Sequence, residues 1–214
     1  MATGRNTKKA VLVACCLIGL AGCAAKEEPA AVGKDPGMAV TCIGVLPARP
    51  AVEMDETISP AEAKQLEDGS LVMDGVLKEI LGARPEVRFV TAQQVNSATG
   101  GEGLGDLEGA KKVANKISCN VLMETTVSRY ADRVGGQYGV KEPAAVTFDY
   151  RLYEVGEGRV LCRGRFDEKQ ESVMDNLLSF NKASNRGFSW ITAEQLMREG
   201  LKAKLGQCAY FPER

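Results

Sequence analysis

From residue 38 onward the spacing of apolar residues switches between a period of two and a period near 3.6, and the order of those switches constrains the fold. Residues 38–46 (MAVTCIGVL) form an apolar, β-branched run closed by Pro47 and Pro50, which predicts a buried strand. Ser59, Pro60 and Glu62 then supply an N-cap, a first-turn proline and the glutamate of a capping box. Leu66, Val72, Met73, Val76, Leu77 and Ile80 continue a helical stripe to Leu81, where Gly82 and Pro85 stop it. Residues 87–91 read as a short second strand. A glycine-rich stretch, 97–106, leads into a second helix near 104–118, faced by Leu107, Ala110, Val113, Ala114 and Ile117. Val121, Met123, Thr125 and Val127 alternate in a third strand, and 132–143 is a long loop. Residues 144–155 and 159–168 then pair as a hairpin across Gly156 and Gly158. Thr192 and Gln195 open a last helix, with Leu196, Met197, Leu201 and Leu205 inward and Gly206 at its end. This order predicts an α/β (α+β) fold over 38–214, a single mixed sheet of about five strands with packed helices.

The N-terminus is built differently. Arg5, Lys8 and Lys9 precede an apolar run over 10–20 that is shorter than the ~20 residues a membrane-spanning helix needs, so it reads as a secretory signal peptide. The run ends in Leu20-Ala21-Gly22-Cys23, which resembles the lipobox of bacterial lipoproteins. That resemblance implies removal of residues 1–22 and lipidation of the Cys23 thiol, with palmitate-type chains holding the protein on the membrane. Two or three chains anchor far more firmly than one, because each buried methylene contributes roughly 0.8 kcal/mol. Ala24, where an aspartate is absent, implies the periplasmic face of the bacterial outer membrane. Residues 25–37 (AKEEPAAVGKDPG) lack periodicity and read, with Cys23 and Ala24, as a flexible tether. Its root-mean-square reach is about 20 Å.

Composition narrows the chemistry. The chain contains no histidine, which excludes Ser-His-Asp and Cys-His catalysis and any histidine-ligated metal or haem. Loss of residues 1–22 removes three basic and no acidic residues, taking the formal charge from −1 to −4. A mildly acidic domain without a basic run has no nucleic acid partner to expect. Cys42, Cys119, Cys162 and Cys208 remain in the mature domain. Without a CxxC spacing they read as disulfides or buried free thiols rather than metal ligands, and three pairings are open.

No cofactor, metal or catalytic residue emerges. The glycine-rich Gly100-Gly101-Glu102-Gly103-Leu104-Gly105 lacks both the third glycine of a dinucleotide fingerprint and the GK[ST] of a P-loop. Asp167 and Glu168 are adjacent on a strand, so they point to opposite faces and cannot flank one glycosidic bond. Phe180, Phe188 and Trp190 lie in a polar, irregular stretch, and Tyr138 stands between glycines in the 132–143 loop. These four aromatic residues are the candidate partner surface, weighed against a purely structural role in pinning their segments to the core.

Val45 to Ala48 (VLPA), Ser118-Cys119-Asn120-Val121-Leu122 and the hairpin RLYEVGEGRVLCRGRFDE over 151–168 complete the pattern. With the element order, they resemble the α/β domain of the CsgG family, the TolB N-terminal domain and the LpoB-type activators of penicillin-binding proteins. That resemblance implies a non-enzymatic domain that binds another envelope protein, with homo-oligomer formation a further option. A CsgG-like secretion-channel subunit is one alternative, and a periplasmic hydrolase using carboxylates is another. Val146, Phe148, Tyr150 and Leu152 alternate as a lipid-facing strand would. Arg163 and Arg165 crowd the opposite face of the next strand, as in a sheet with one buried and one wet face.

Overall fold

In the computed structural model the described residues are 38–51, 58–101, 103–104, 106–136, 139–170 and 190–212. They form one mixed sheet flanked by helices, as the hydrophobic periods predict. Strands β1 (Ile43–Val45), β2 (Arg49–Pro50) and β3 (Val87–Phe89) join β4 (Val121–Ala131), β7 (Ala145–Glu154) and β8 (Val160–Lys169). The order is β3-β1-β4-β7-β8, with β1 and β2 both parallel to β4 and the β4-β7-β8 part antiparallel. Among the described residues the helices are α1 (Pro60–Leu81), α2 (Ala92–Thr99), α3 (Leu107–Ile117) and α4 (Ala193–Gly206).

Alternation assigns the two faces. Ile43, Val45, Met123, Val127, Val146, Phe148, Tyr150 and Leu152 are buried on one face under α1 and α4, against Met73, Leu77, Leu196, Met197 and Leu201. On the other face Leu122, Tyr153 and Val155 pack with Val113, Ala114 and Ile117 of α3 and Val95 of α2. Cross-linking is equally divided. Cys42–Cys119 lies in the α2/α3 layer and Cys162–Cys208 in the α1/α4 layer, with Cα–Cα separations of 4.5 and 5.9 Å. The choice between thiols and disulfides, which sequence left open, resolves to two disulfides.

Local chemistry places the helices. Ser59 and Glu62 form the expected capping box of α1, and Thr192 and Gln195 that of α4. The half-buried Asp74 on α1 accepts the Ala48 backbone N–H at 2.8 Å, tying the turn after β1 to the helix. Burial holds this carboxyl above its ordinary range, opposed by that hydrogen bond and by the charge of Lys78. A raised folded-state value destabilises the fold at neutral pH, and the penalty fades as pH falls through it. Asp74→Asn, which keeps an acceptor for Ala48, is therefore expected to raise the urea midpoint at pH 7. That advantage should shrink toward zero below about pH 4, near the ordinary aspartate value.

Helix α4 comes close to the sheet at Gly200. A Cβ there would lie 2.7 Å from ring carbons of Phe166, whose ring stacks on Phe148 at 5.3 Å. Gly200→Ala is expected to lose about 1–3 kcal/mol by overpacking. Alanine's usual helix advantage of about 1 kcal/mol offsets part of this. Chemical denaturation with an unchanged m-value would measure it.

Several elements differ from the expectation. The first strand covers 43–45 rather than 38–46, because Asn120 holds the chain ahead of it: Thr41 N and Thr41 Oγ1 each donate to Asn120 Oδ1 at 3.0 Å, and Cys42 N also donates to that oxygen while its carbonyl accepts Val121 N–H. Pro50, read as closing that strand, lies in β2, where the chain resumes pairing with β4 beyond Pro47. Helix α3 starts at Leu107 rather than 104, because the Asp106 carboxylate caps it by accepting Gly109 N–H at 2.9 Å. Helix α2 was not foreseen. The long loop contains a short hairpin, β5 (Val134–Gly136) with β6 (Gly139–Glu142), whose residues are mostly exposed and so leave no apolar period to read.

Candidate functional site

Only part of the face opposite α1 and α4 is covered. Helix α3 packs over the Leu122–Tyr153 row, and beyond it β4, β7 and β8 carry registered rows of charged and hydroxyl side chains, exposed or half-buried except for the buried Thr147. Glu124, Arg151 and Arg163 form one row; Thr126, Asp149 and Arg165 the next; Arg129, Thr147 and Asp167 the third. Arg49 of β2 extends the Thr126 row, and Lys169 lies one row past Asp167. The face thus carries six cations against three carboxylates on a chain whose formal net charge is −1.

The carboxylates are all engaged. Arg151 Nη2 donates to Glu124 Oε2 at 2.7 Å while Tyr153 Oη donates to Glu124 Oε1 at 2.8 Å. The Arg151 guanidinium stacks 5.0 Å above the Tyr153 ring. Burial, and then the adjacent Glu124 carboxylate, hold the Tyr153 phenol far above its ordinary value, so it stays a donor at any physiological pH. Arg165 Nη1 donates to Asp149 Oδ2 at 2.8 Å, and Asp167 takes Arg129 and the Thr147 hydroxyl. Arg49 and Arg163, both exposed, have no ion-pair partner among the described residues. The wet face expected from Arg163 and Arg165 is there, and it is a lattice rather than a scatter of charges. Asp167 belongs to it and Glu168 points the other way, as adjacent strand residues must.

A cleft of about 320 Å³ opens where this face meets α3, between Arg49, Glu124, Arg151 and Tyr153 of the sheet and Leu104 and Leu107. Asp106 and Glu157 also line it, so three carboxylates face two guanidiniums there. The cleft is therefore no anion pocket, and its one well-buried carboxylate is fully occupied by Arg151 and Tyr153.

Of the aromatic residues singled out in the sequence, Trp190 is half-buried at the foot of the β5–β6 hairpin. Arg133 donates to its carbonyl, and Asp132 Oδ1 accepts Ala193 N–H at 2.9 Å. The structure so brings Trp190 beside the 132–143 loop. Tyr138, Phe180, Phe188 and Cys23 lie outside the described residues. Sequence reading missed Arg49, Arg151 and Glu124 as surface groups; the period-two alternation of β4 and β7 was the available signal for the last two.

Catalytic alternatives find little support in the geometry. Lys116 Nζ meets Ser97 Oγ at 2.6 Å, but both are exposed and the Ser97 hydroxyl also donates to Gln94 O. A lysine base needs desolvation that this position lacks. No group of three potential metal ligands occurs among the described residues. Nor is any helix among them long and apolar enough to cross a membrane. Gly100, Gly101 and Gly103 have positive φ, and a Cβ at any of them would meet nothing within 4 Å. They serve the backbone path, not close approach.

No protein-family model matches the chain, and no curated protein does either. Among solved structures it is similar to the LpoB C-terminal domain from Salmonella enterica, at 13% identity over 63% of this chain and 87% of that one, TM-score 0.38. It is similar also to the PelC dodecamer from Paraburkholderia phytofirmans, at 12% identity over 82% and 94%, TM-score 0.45. Lipoprotein GNA1162 from Neisseria meningitidis matches at 16% identity over 68% and 97%, TM-score 0.40. LpoB is one of the groups named by the sequence resemblance. Likenesses this loose carry no function across, and what the chain does must be argued from its own residues.

Proposed function

We propose that this chain is a lipid-anchored lipoprotein of the cell envelope whose folded domain is a non-enzymatic binding module for another envelope protein. Its lipid sits on Cys23, its tether runs to residue 37, and its place is the periplasmic face of the outer membrane. The observation that carries the reading is the open, ionic face of β4, β7 and β8. It is largely exposed, ordered by paired charges, and leaves Arg49 and Arg163 without an ion-pair partner among the described residues. Two disulfides, suited to an oxidising compartment, agree with export directed by residues 1–22.

The channel alternative is weaker on physical grounds. A lipid-facing strand cannot carry arginines at mid-depth, where each costs about 2–4 kcal/mol, and β5 and β6 have 3 and 4 residues against the ~9–11 a spanning strand needs. Against a hydrolase, Glu124, Asp149 and Asp167 are each held by arginine and Asp106 is engaged as the cap of α3, which leaves Glu157 as the one carboxylate lining the cleft without such a partner among the described residues.

Affinity capture of the lipidated protein from detergent-solubilised envelopes tests the proposal. One envelope protein should be enriched over a control bearing the anchor and tether alone. Equal recovery from both baits at native expression would count against it.

A further inference from the structure

We infer that the occupant of the open face is an extended acidic segment of a protein partner, with two carboxylates about four residues apart that pair with Arg49 and Arg163. The inference rests on the binding-module reading and specifies its partner chemistry.

The two unpaired guanidiniums lie at opposite sides of the face. Arg49 is on β2 and Arg163 on β8, with β4 and β7 between them. Three inter-strand steps of about 4.8 Å and an offset of one row, about 6.8 Å along the strands, put their backbones about 16 Å apart. An extended chain rises about 3.4 Å per residue and returns a side chain to one face at every second position, so carboxylates at i and i+4 span about 14 Å, the even spacing nearest to that separation, and the long arginine side chains close the remainder. Between the two anchors lie Thr126 and the pairs Arg151–Glu124 and Arg165–Asp149. These offer a crossing segment hydroxyl and charged partners without demanding further acid.

Other occupants fit less well. A continuous anionic surface such as a lipid headgroup layer would meet Glu124, Asp149 and Asp167 as well as the arginines. A segment with two discrete carboxylates stays clear of Asp167 and approaches Glu124 only beside Arg49, where Arg151 and Tyr153 already hold that carboxylate. A second copy docking edge to edge through β8 sets like charges together. The antiparallel register that overlaps all of Arg163, Arg165, Asp167 and Lys169 opposes Arg163 to Lys169 at both ends, and of the shifted registers only the one that pairs Asp167 with Lys169 alone avoids a like-charged pair. That arrangement disfavours self-pairing and leaves the face to a different chain.

Photo-crosslinking in intact cells tests the inference with the full lipidated chain. A benzophenone amino acid is placed at Val160, which is 44% exposed and flanks Arg163 on the same face, and separately at Trp190. The Val160 adduct should map to a protein segment bearing two acidic residues four apart. Its yield should fall at least tenfold in Arg49→Glu/Arg163→Glu, and measurably in Arg49→Gln/Arg163→Gln, with thermal midpoints unchanged. Adducts to lipid, to this chain itself or to a segment without such acids would overturn the inference, as would a yield indifferent to charge reversal or no adduct at Val160. A partner adduct from Trp190 alone would overturn this occupancy and leave the binding-module reading standing. No adduct to a different protein from either position would count against both.

Discussion

Reducing both disulfides of the mature protein is expected to unfold it at about 37 °C. Cys42–Cys119 closes a loop with a sequence separation of 77 residues and Cys162–Cys208 one of 46, both long enough for a large effect on the unfolded chain. Each pair should contribute roughly 2–4 kcal/mol, and the two together rival the ~5–15 kcal/mol that holds a typical domain folded. The bridges also do different work. Cys42–Cys119 joins the start of β1 to the start of β4 in the α2/α3 layer, whereas Cys162–Cys208 fastens the end of α4 to β8. Paired serine variants should each lower the urea midpoint, and a protein lacking both bridges should show no cooperative transition. Wild-type midpoints in both paired variants would mean that the cysteines are reduced in the native protein.

The second large effect contrasts the two faces of one sheet. Phe148 is fully buried and stacks on Phe166 beneath α4, so Phe148→Ala should lose about 3–5 kcal/mol through lost burial and a residual cavity. Arg163, on the open face of the neighbouring strand, has no ion pair to lose among the described residues. Arg163→Ala should therefore change stability by no more than about 0.5 kcal/mol. Equilibrium denaturation of both variants would decide the matter. Comparable losses at both positions would mean that the arginine face is covered within the folded chain.

Much of this fold was legible in the order of residues. The capping boxes at Ser59 and Thr192 and the stripes that follow them are local signals, and the helices start where those signals stand. The alternation of Val146, Phe148, Tyr150 and Leu152 against Arg163 and Arg165 foretold one dry face and one wet one, because a strand's side-chain period is fixed at two. Helix α2 escaped although Thr91 and Gln94 form a full capping box. Its eight residues bury only Val95 and Thr99, too few to make a stripe. The extent of β1 escaped for another reason. A β-branched run pairs only as far as its neighbours extend, and here Asn120 takes over the backbone of residues 41 and 42. The site was the least legible part. Arg49 reaches the open face only because β2 pairs with β4 some 77 residues later, as Arg49 aligns with Thr126. Disulfide partners are chosen by the same long-range geometry, which composition and spacing do not contain.

The proposed place of this domain in the envelope depends on what happens to one thiol. The most direct test is the mass of the N-terminal peptide released by protease from the membrane fraction. The mature chain should begin at Cys23 and carry a thioether-linked diacylglyceryl group with fatty acyl chains. A peptide beginning at Met1, or an unmodified Cys23 in a protein that still sediments with membranes, would contradict it.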